Sequence, residues 1–201
     1  MAGIVIIDYG SGNLRSVEKA FAAVGRAAQV SDNPQVWRDA EKLVLPGVGA
    51  FAACMKALRA LGGDAIIKER AATGVPLLGV CVGMQMLFEE SEEFGATAGL
   101  GLLRGRVQRF DDTWRVPHVG WNTVTPRFSH PLLKDLARGT YFYFVHSYFC
   151  HASDDTDILG ETEYGVRYAS VVGRGNICGV QFHPEKSQAA GLRLLKNFAE
   201  L

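Results

Sequence analysis

No apolar run in this 201-residue sequence approaches the ~20 residues that a membrane-spanning helix needs. Charge excess is missing too: 21 Lys and Arg balance 21 Asp and Glu, so the basic field of a nucleic-acid binder is excluded. Cysteine is scarce, and Cys54, Cys81, Cys150 and Cys178 form no Cys-x-x-Cys pair. That argues against a zinc site and for a reducing, cytoplasmic setting. Cys54, Cys150 and Cys178 lie among apolar or aromatic neighbours and read as structural. No basic leader with a small-residue cleavage site precedes the strand-like residues 3–8, and no repeat, low-complexity tract or linker interrupts the chain. Gly10-Ser11-Gly12 lacks the third glycine of a dinucleotide fingerprint, because Arg15 occupies its place. His118, His130, His146 and His151 show no metal-ligand spacing, so neither metal nor cofactor is expected.

Against these absences stands a regular alternation in the first half. Residues 4–7 are a continuous apolar strand, and residues 42–45 and 75–80 read as a second and a third buried strand. The segments between them carry apolar stripes at helical spacing: Leu14, Val17, Phe21 and Val24, then Phe51, Cys54, Leu58 and Leu61. Buried strands separated by amphipathic helices predict a mostly parallel sheet covered on both faces. Beyond Leu100 the pattern becomes strand-rich, at residues 106–110, 122–125, 141–149, 167–172 and 177–182, before a final helix with Leu192, Leu195 and Phe198 on one face. The expected fold is a three-layer α/β domain over residues 1–201, with additional antiparallel strands.

Two segments carry chemistry. Val75-Pro-Leu-Leu-Gly-Val-Cys-Val-Gly-Met-Gln85 delivers Cys81 between Gly79 and Gly83, followed by the helix formers Met84 to Glu89. This is the pattern of a nucleophile elbow, in which small flanking residues tolerate a sharp strand-to-helix turn. A helix N-terminus there favours thiolate over thiol. About a hundred residues later (81 to 183), Gly179-Val-Gln-Phe-His-Pro-Glu185 brings His183 in extended conformation before a proline. Residues i and i+2 of an extended chain share a face, which pairs Glu185 with His183. A carboxylate beside an imidazole fixes its tautomer and stabilises the imidazolium, equipping it to take a thiol proton.

An elbow cysteine followed by His-Pro-Glu resembles the class I (triad-type) glutamine amidotransferases. Asp8-Tyr-Gly-Ser-Gly-Asn13, Pro46-Gly-Val-Gly-Ala-Phe51, Pro117-His-Val-Gly-Trp-Asn122, Val145-His-Ser-Tyr148 and His183-Pro-Glu-Lys-Ser187 occur in order. Jointly they are similar to the glutaminase subunits of imidazole glycerol phosphate synthases, which serve histidine biosynthesis. The likeness runs from Ile4 to about Phe198.

The resemblance implies a flavodoxin-like class I amidotransferase domain with Cys81 as nucleophile, His183 as base and acid, and Glu185 as its orienting partner. It implies oxyanion donors from Val48 or Gly49 and from Val82, each worth roughly 3 kcal/mol of barrier. Gln85 and Glu89, four and eight residues past Cys81 on one helix face, are expected around substrate L-glutamine, with Glu89 at its α-ammonium. The backbone of Ser147 and Tyr148 completes that site, beside a strand residue, His146. Ammonia would pass to a cyclase subunit with a (β/α)₈ barrel, as a heterodimer, because the chain offers no acceptor site of its own. That subunit would make imidazole glycerol phosphate and an aminoimidazole carboxamide ribotide. Asn13, Trp121, Tyr143 and Lys186, and the segment holding His118, are expected to face it, while His130 and His151 read as surface residues. A mobile oxyanion loop would keep the isolated chain nearly silent. Alternatives at this point are the glutaminase of another synthase, such as that of pyridoxal phosphate or anthranilate, and a thiol hydrolase on the same scaffold.

Overall fold

The computed structural model describes residues 2–201. Strand β1 (Ala2–Ile7) is the apolar run at the N-terminus, and it pairs in parallel with β2 (Ala28–Ser31) on one side and β3 (Ala40–Gly47) on the other. β4 (Leu77–Cys81) and β13 (Ile177–Val180) extend the same parallel run, in the order β2-β1-β3-β4-β13. The five residues of β4 are all buried, which is why they show no alternation in sequence.

Helices α1 (Leu14–Ala23), α3 (Phe51–Ala60) and α6 (Gln188–Ala199) present the stripes read from sequence, with Val17 and Phe21, Phe51, Cys54 and Leu58, and Leu195 and Phe198 buried. Leu61 departs from its stripe: it caps α3 and is 39% exposed. Short α2 (Pro34–Arg38) and α4 (Gly63–Ala72) lay outside the sequence reading, as did β2. β2 is short and only its last residue, Ser31, is buried, so no apolar run marks it. α2 is started by Asn33, whose side chain accepts the Gln35 N–H, and it buries Trp37 completely.

The second half adds antiparallel strands. β12 (Val166–Arg174) pairs with β13, and β10 (Tyr148–Ala152) and β7 (Gly105–Arg109) continue the sheet to β5 (Glu90–Ser91) and β6 (Thr97–Ala98). β8 (His118–Pro126) and β9 (Thr140–His146) form a hairpin joined through β11 (Ile158–Tyr164), a strand the sequence reading passed over. The aromatic run 141–149 is two strands, broken at Ser147, because β9 pairs with β8 while β10 turns away to pair with β7 and β12. The mostly parallel half, its covering helices and the added antiparallel strands agree with the fold class read from sequence.

Candidate active site

Cys81 ends β4 at φ 56°, ψ −114° and caps α5 (Val82–Met86). A non-glycine residue in that region is strained by about 1–3 kcal/mol and persists only where the surroundings enforce it. They do: a Cβ on Gly83 would collide with the Leu45 carbonyl oxygen, and one on Gly79 would meet Gly83 O at 2.6 Å. The elbow is therefore clamped between its own strand and β3, and both flanking glycines are steric requirements.

α5 is one short turn, and here the sequence expectation fails. The Met86, Leu87 and Phe88 carbonyls that would continue the helix accept instead from Leu100, Leu102 and Gly101 N–H groups. Glu89 consequently leaves the Cys81 face. It is exposed, and its Oε2 accepts the Gly105 N–H at 2.8 Å, away from the sulfur. Glu93, and not Glu89, reaches the cavity. Its Oε2 accepts the Phe51 N–H at 2.6 Å at the start of α3, and it borders the cavity that holds Cys81.

That cavity encloses about 360 Å³ and brings together Cys81, Val82, Gln85, His183 and Lys186 with Val48, Gly49, Ser147 and Tyr148. It is large enough for a small zwitterionic molecule and lined by groups from both halves of the chain. His183 is 4% exposed, and its Nδ1 stands 2.9 Å from Glu185 Oε1. The pairing arises differently from the extended-chain expectation: residues Pro184–Lys186 form a 3-10 turn that folds the carboxylate back under the ring. Asn13 Nδ2 donates to the same oxygen at 3.3 Å, so this residue expected at a partner face supports the carboxylate. Burial alone would lower the His183 pKa. The Cys81 sulfur facing the ring and then the Glu185 carboxylate outweigh it, and raise the value to about 10. The imidazolium form is thus favoured while a thiolate faces it.

The loop after β3 holds its Val48 peptide outward. Ser11 Oγ donates to Val48 O at 2.8 Å, the Cys54 thiol donates to it at 3.4 Å, and Val48 N–H donates back to Ser11 Oγ at 3.3 Å. An N–H engaged by Ser11 is not free for an oxyanion in this conformation. Gly49 has φ +90°, the freedom a peptide rotation there requires. Beneath the loop, buried Tyr9 donates to Pro46 O at 2.7 Å, and burial pushes its phenol well above the ordinary value.

His118 is not on an outer face. It is 4% exposed, stacks on Tyr164 with 4.0 Å between ring centres, and its Nδ1 lies 3.2 Å from His146 Nε2. His146 Nδ1 donates to Tyr148 O at 2.7 Å, beside the cavity as expected. Burial lowers His118 to about 4; burial, and then the neighbouring rings, carry His146 to about 3 despite its bond to Tyr148. Of the pair expected on the surface, His151 is exposed while half-buried His130 caps a 3-10 turn through Leu132 N–H. Trp121 is 46% exposed and lies edge-on to its cross-strand partner Tyr143 at 5.9 Å. Lys186 is exposed at the cavity mouth. Among the described residues no cluster of His, Cys, Asp and Glu could hold a metal ion, and no helix is long and apolar enough to cross a membrane.

Sequence reasoning missed Glu93, Tyr9 and Gln181. Glu93 sits in an acidic run with no period to distinguish it. Gln181 did leave a signal: a polar residue in an apolar strand, two positions before His183 and on its face.

Residues 5–201 match the family described as "Glutamine amidotransferase class-I". The protein from Salinibacter ruber named "Imidazole glycerol phosphate synthase subunit HisH" is 53% identical, over 98% of this chain and 93% of its own. Proteins of the same name from Moorella thermoacetica and Methanosarcina acetivorans are 51% and 48% identical, each over 100% of this chain and 96% and 100% of theirs. A solved glutamine amidotransferase has the same fold, with a TM-score of 0.77 at 19% identity over 98% of this chain and 99% of its own. A chain of the solved PurLQS from Thermotoga maritima gives 0.69 at 18% identity, over 98% of this chain and 95% of its own.

Proposed function

We propose that this chain, which belongs to the class-I glutamine amidotransferase family, is the glutaminase subunit of an imidazole glycerol phosphate synthase in histidine biosynthesis. The observation that carries the chemistry is a strained elbow cysteine sharing one cavity with an imidazole already paired to a carboxylate. Full-length relatives that carry this name support the choice of synthase.

Cys81 sulfur attacks the side-chain amide carbon of glutamine. The negative charge that develops on oxygen is met by N–H groups of Val82 and of the Val48–Gly49 loop, the latter once its peptide turns inward. His183 holds the thiol proton and delivers it to the departing nitrogen, so the C–N bond breaks, ammonia leaves and a thioester remains on Cys81. Acylation removes the interaction with the Cys81 sulfur that raised His183 most. Its proton affinity then falls, and the ring becomes a base for the water that hydrolyses the thioester to glutamate. Glu185 keeps the ring oriented throughout. Glu93 is placed to receive the α-ammonium of glutamine, with Gln85 and the Ser147–Tyr148 backbone around the remaining polar groups.

Ammonia becomes ammonium in water at neutral pH, so its use in synthesis calls for direct transfer. A cyclase subunit with a (β/α)₈ barrel, seated on the face that carries exposed Val119, Trp121 and Tyr141, would receive it in the cytoplasm. The test is Cys81→Ala, assayed for ammonia release and for capture of the cyclase. Release should vanish and capture persist; continued release of ammonia from glutamine would refute the assignment.

A further inference from the structure

Gln181 is fully buried, and its side chain bridges Cys81 and Gln85. Its Nε2 is 3.9 Å from Cys81 Sγ, and its Oε1 accepts Gln85 Nε2 at 3.1 Å. Gln85 spends its other amide hydrogen on Tyr148 O, also at 3.1 Å. A backbone carbonyl only accepts, so Tyr148 O dictates which end of the Gln85 amide faces it. The Tyr148 carbonyl is held in turn by His146 Nδ1–H.

The polarity of the row follows from that one fixed acceptor. Gln85 must offer hydrogens to both neighbours. Gln181 must then turn its oxygen toward Gln85, and its remaining end, N–H, toward the sulfur. The row also closes a ring through the chain: Gln85 is four residues beyond Cys81 and Gln181 is two before His183. Both residues that flank the sulfur are therefore tied to each other. A buried amide in this position has no purpose as filler, because an apolar side chain of equal length would pack without desolvating a polar group.

We propose that Gln181 is a dedicated hydrogen-bond donor to the Cys81 sulfur, held in the donating orientation by Gln85 and the Tyr148 carbonyl, and that it stabilises the thiolate without adding charge. The inference rests on the reading of Cys81 as nucleophile. It assigns Gln85 a second duty besides facing the substrate, namely to lock the polarity of its neighbour. The donor serves both half-reactions, because the thiolate is the attacking species in the first and the leaving group in the second.

The experiment is iodoacetamide alkylation of Cys81 followed across pH by mass spectrometry in the full chain, with Gln181→Met, Gln85→Met and the double variant. Thermal melts report folding. Alkylation of Cys81 at pH 7 should slow about tenfold in Gln181→Met, the scale of one hydrogen bond to a charged acceptor. The rate should rejoin that of the parent at alkaline pH, where loss of access or altered packing would keep it slow. Gln85→Met should slow alkylation by a smaller factor, and the double variant should match Gln181→Met alone, because the lock acts only through the donor. Equal rates at pH 7 in Gln181→Met and the parent would overturn the proposal. So would a deficit that persists at alkaline pH, or additive losses in the double variant. Should Gln181→Met fail to fold, Gln85→Met decides: a rate at pH 7 equal to the parent overturns the lock and with it the proposal. Ammonia release by Cys81→Ala is a separate result that bears on the glutaminase reading, so the two failures stay distinct.

Discussion

His183 Nδ1 lies 2.9 Å from Glu185 Oε1, and among the described residues the second oxygen of that carboxylate is buried without a hydrogen-bond partner. The carboxylate is thus committed to one ring nitrogen, with Asn13 on the same oxygen. Glu185→Gln keeps the shape but sets an amide in place of the charge, favouring the wrong tautomer of His183. Turnover of glutamine by the complex should fall roughly 10²- to 10⁴-fold, with far less change in KM, as steady-state ammonia release will measure.

Two glutamates separate a local reading from the folded one. Glu93→Gln should raise KM for glutamine at least tenfold, the loss of one charge-assisted contact worth about 1.5–3 kcal/mol. Glu89→Gln should leave KM unchanged, because its carboxylate serves Gly105. The reverse pattern would return the ammonium site to Glu89.

Ser11 holds both polar groups of Val48 through one hydroxyl. If that contact keeps an oxyanion donor turned away, Ser11→Ala should raise ammonia release by the isolated chain by roughly 3- to 10-fold, since each such bond contributes about 0.5–1.5 kcal/mol. Activity in the presence of the cyclase should change less, because the loop would already be turned. An isolated wild-type chain that hydrolyses glutamine at the full rate of the complex would dismiss the gate altogether.

Opposite histidine shifts give the stability two pH limbs. His118 and His146 are held below their ordinary value of 6.5, so they contribute fully above that pH, and the contribution is lost as pH falls toward about 4 and about 3. His183 is raised, so its contribution is complete below 6.5 and is lost as pH climbs toward about 10. Each ring changes stability by up to about 1.4 kcal/mol per pH unit inside its window. Urea titrations should show the alkaline limb flattened in Cys81→Ala and the acid limb flattened in His118→Phe, which keeps a ring against Tyr164.

How much of this was legible in the chain is seen at individual residues. Cys81 and its flanking glycines announced an elbow because the turn needs small residues on both sides, a local demand. His183 and Glu185 were legible as a pair, yet the pairing uses a 3-10 turn rather than an extended chain. Glu89 was misplaced because helix spacing was carried past Met86, where residues from 100 to 102 take the carbonyls a longer helix would need. Gln181 received no role, since the hydrogen bonds that define it come from Gln85 and Cys81, about a hundred positions away (81 and 85 against 181).

By itself the sequence determined the alternation of buried strands and amphipathic helices, the elbow around Cys81 and the pairing of His183 with Glu185, each written in spacings of a few positions. Only the tertiary structure decided which acid reaches the cavity, that the Val48 peptide is turned toward Ser11, and that His118 is a core residue. Those depend on which distant carbonyl or ring competes for each polar group, and hydrogen-bond partners across the fold leave no period in the chain.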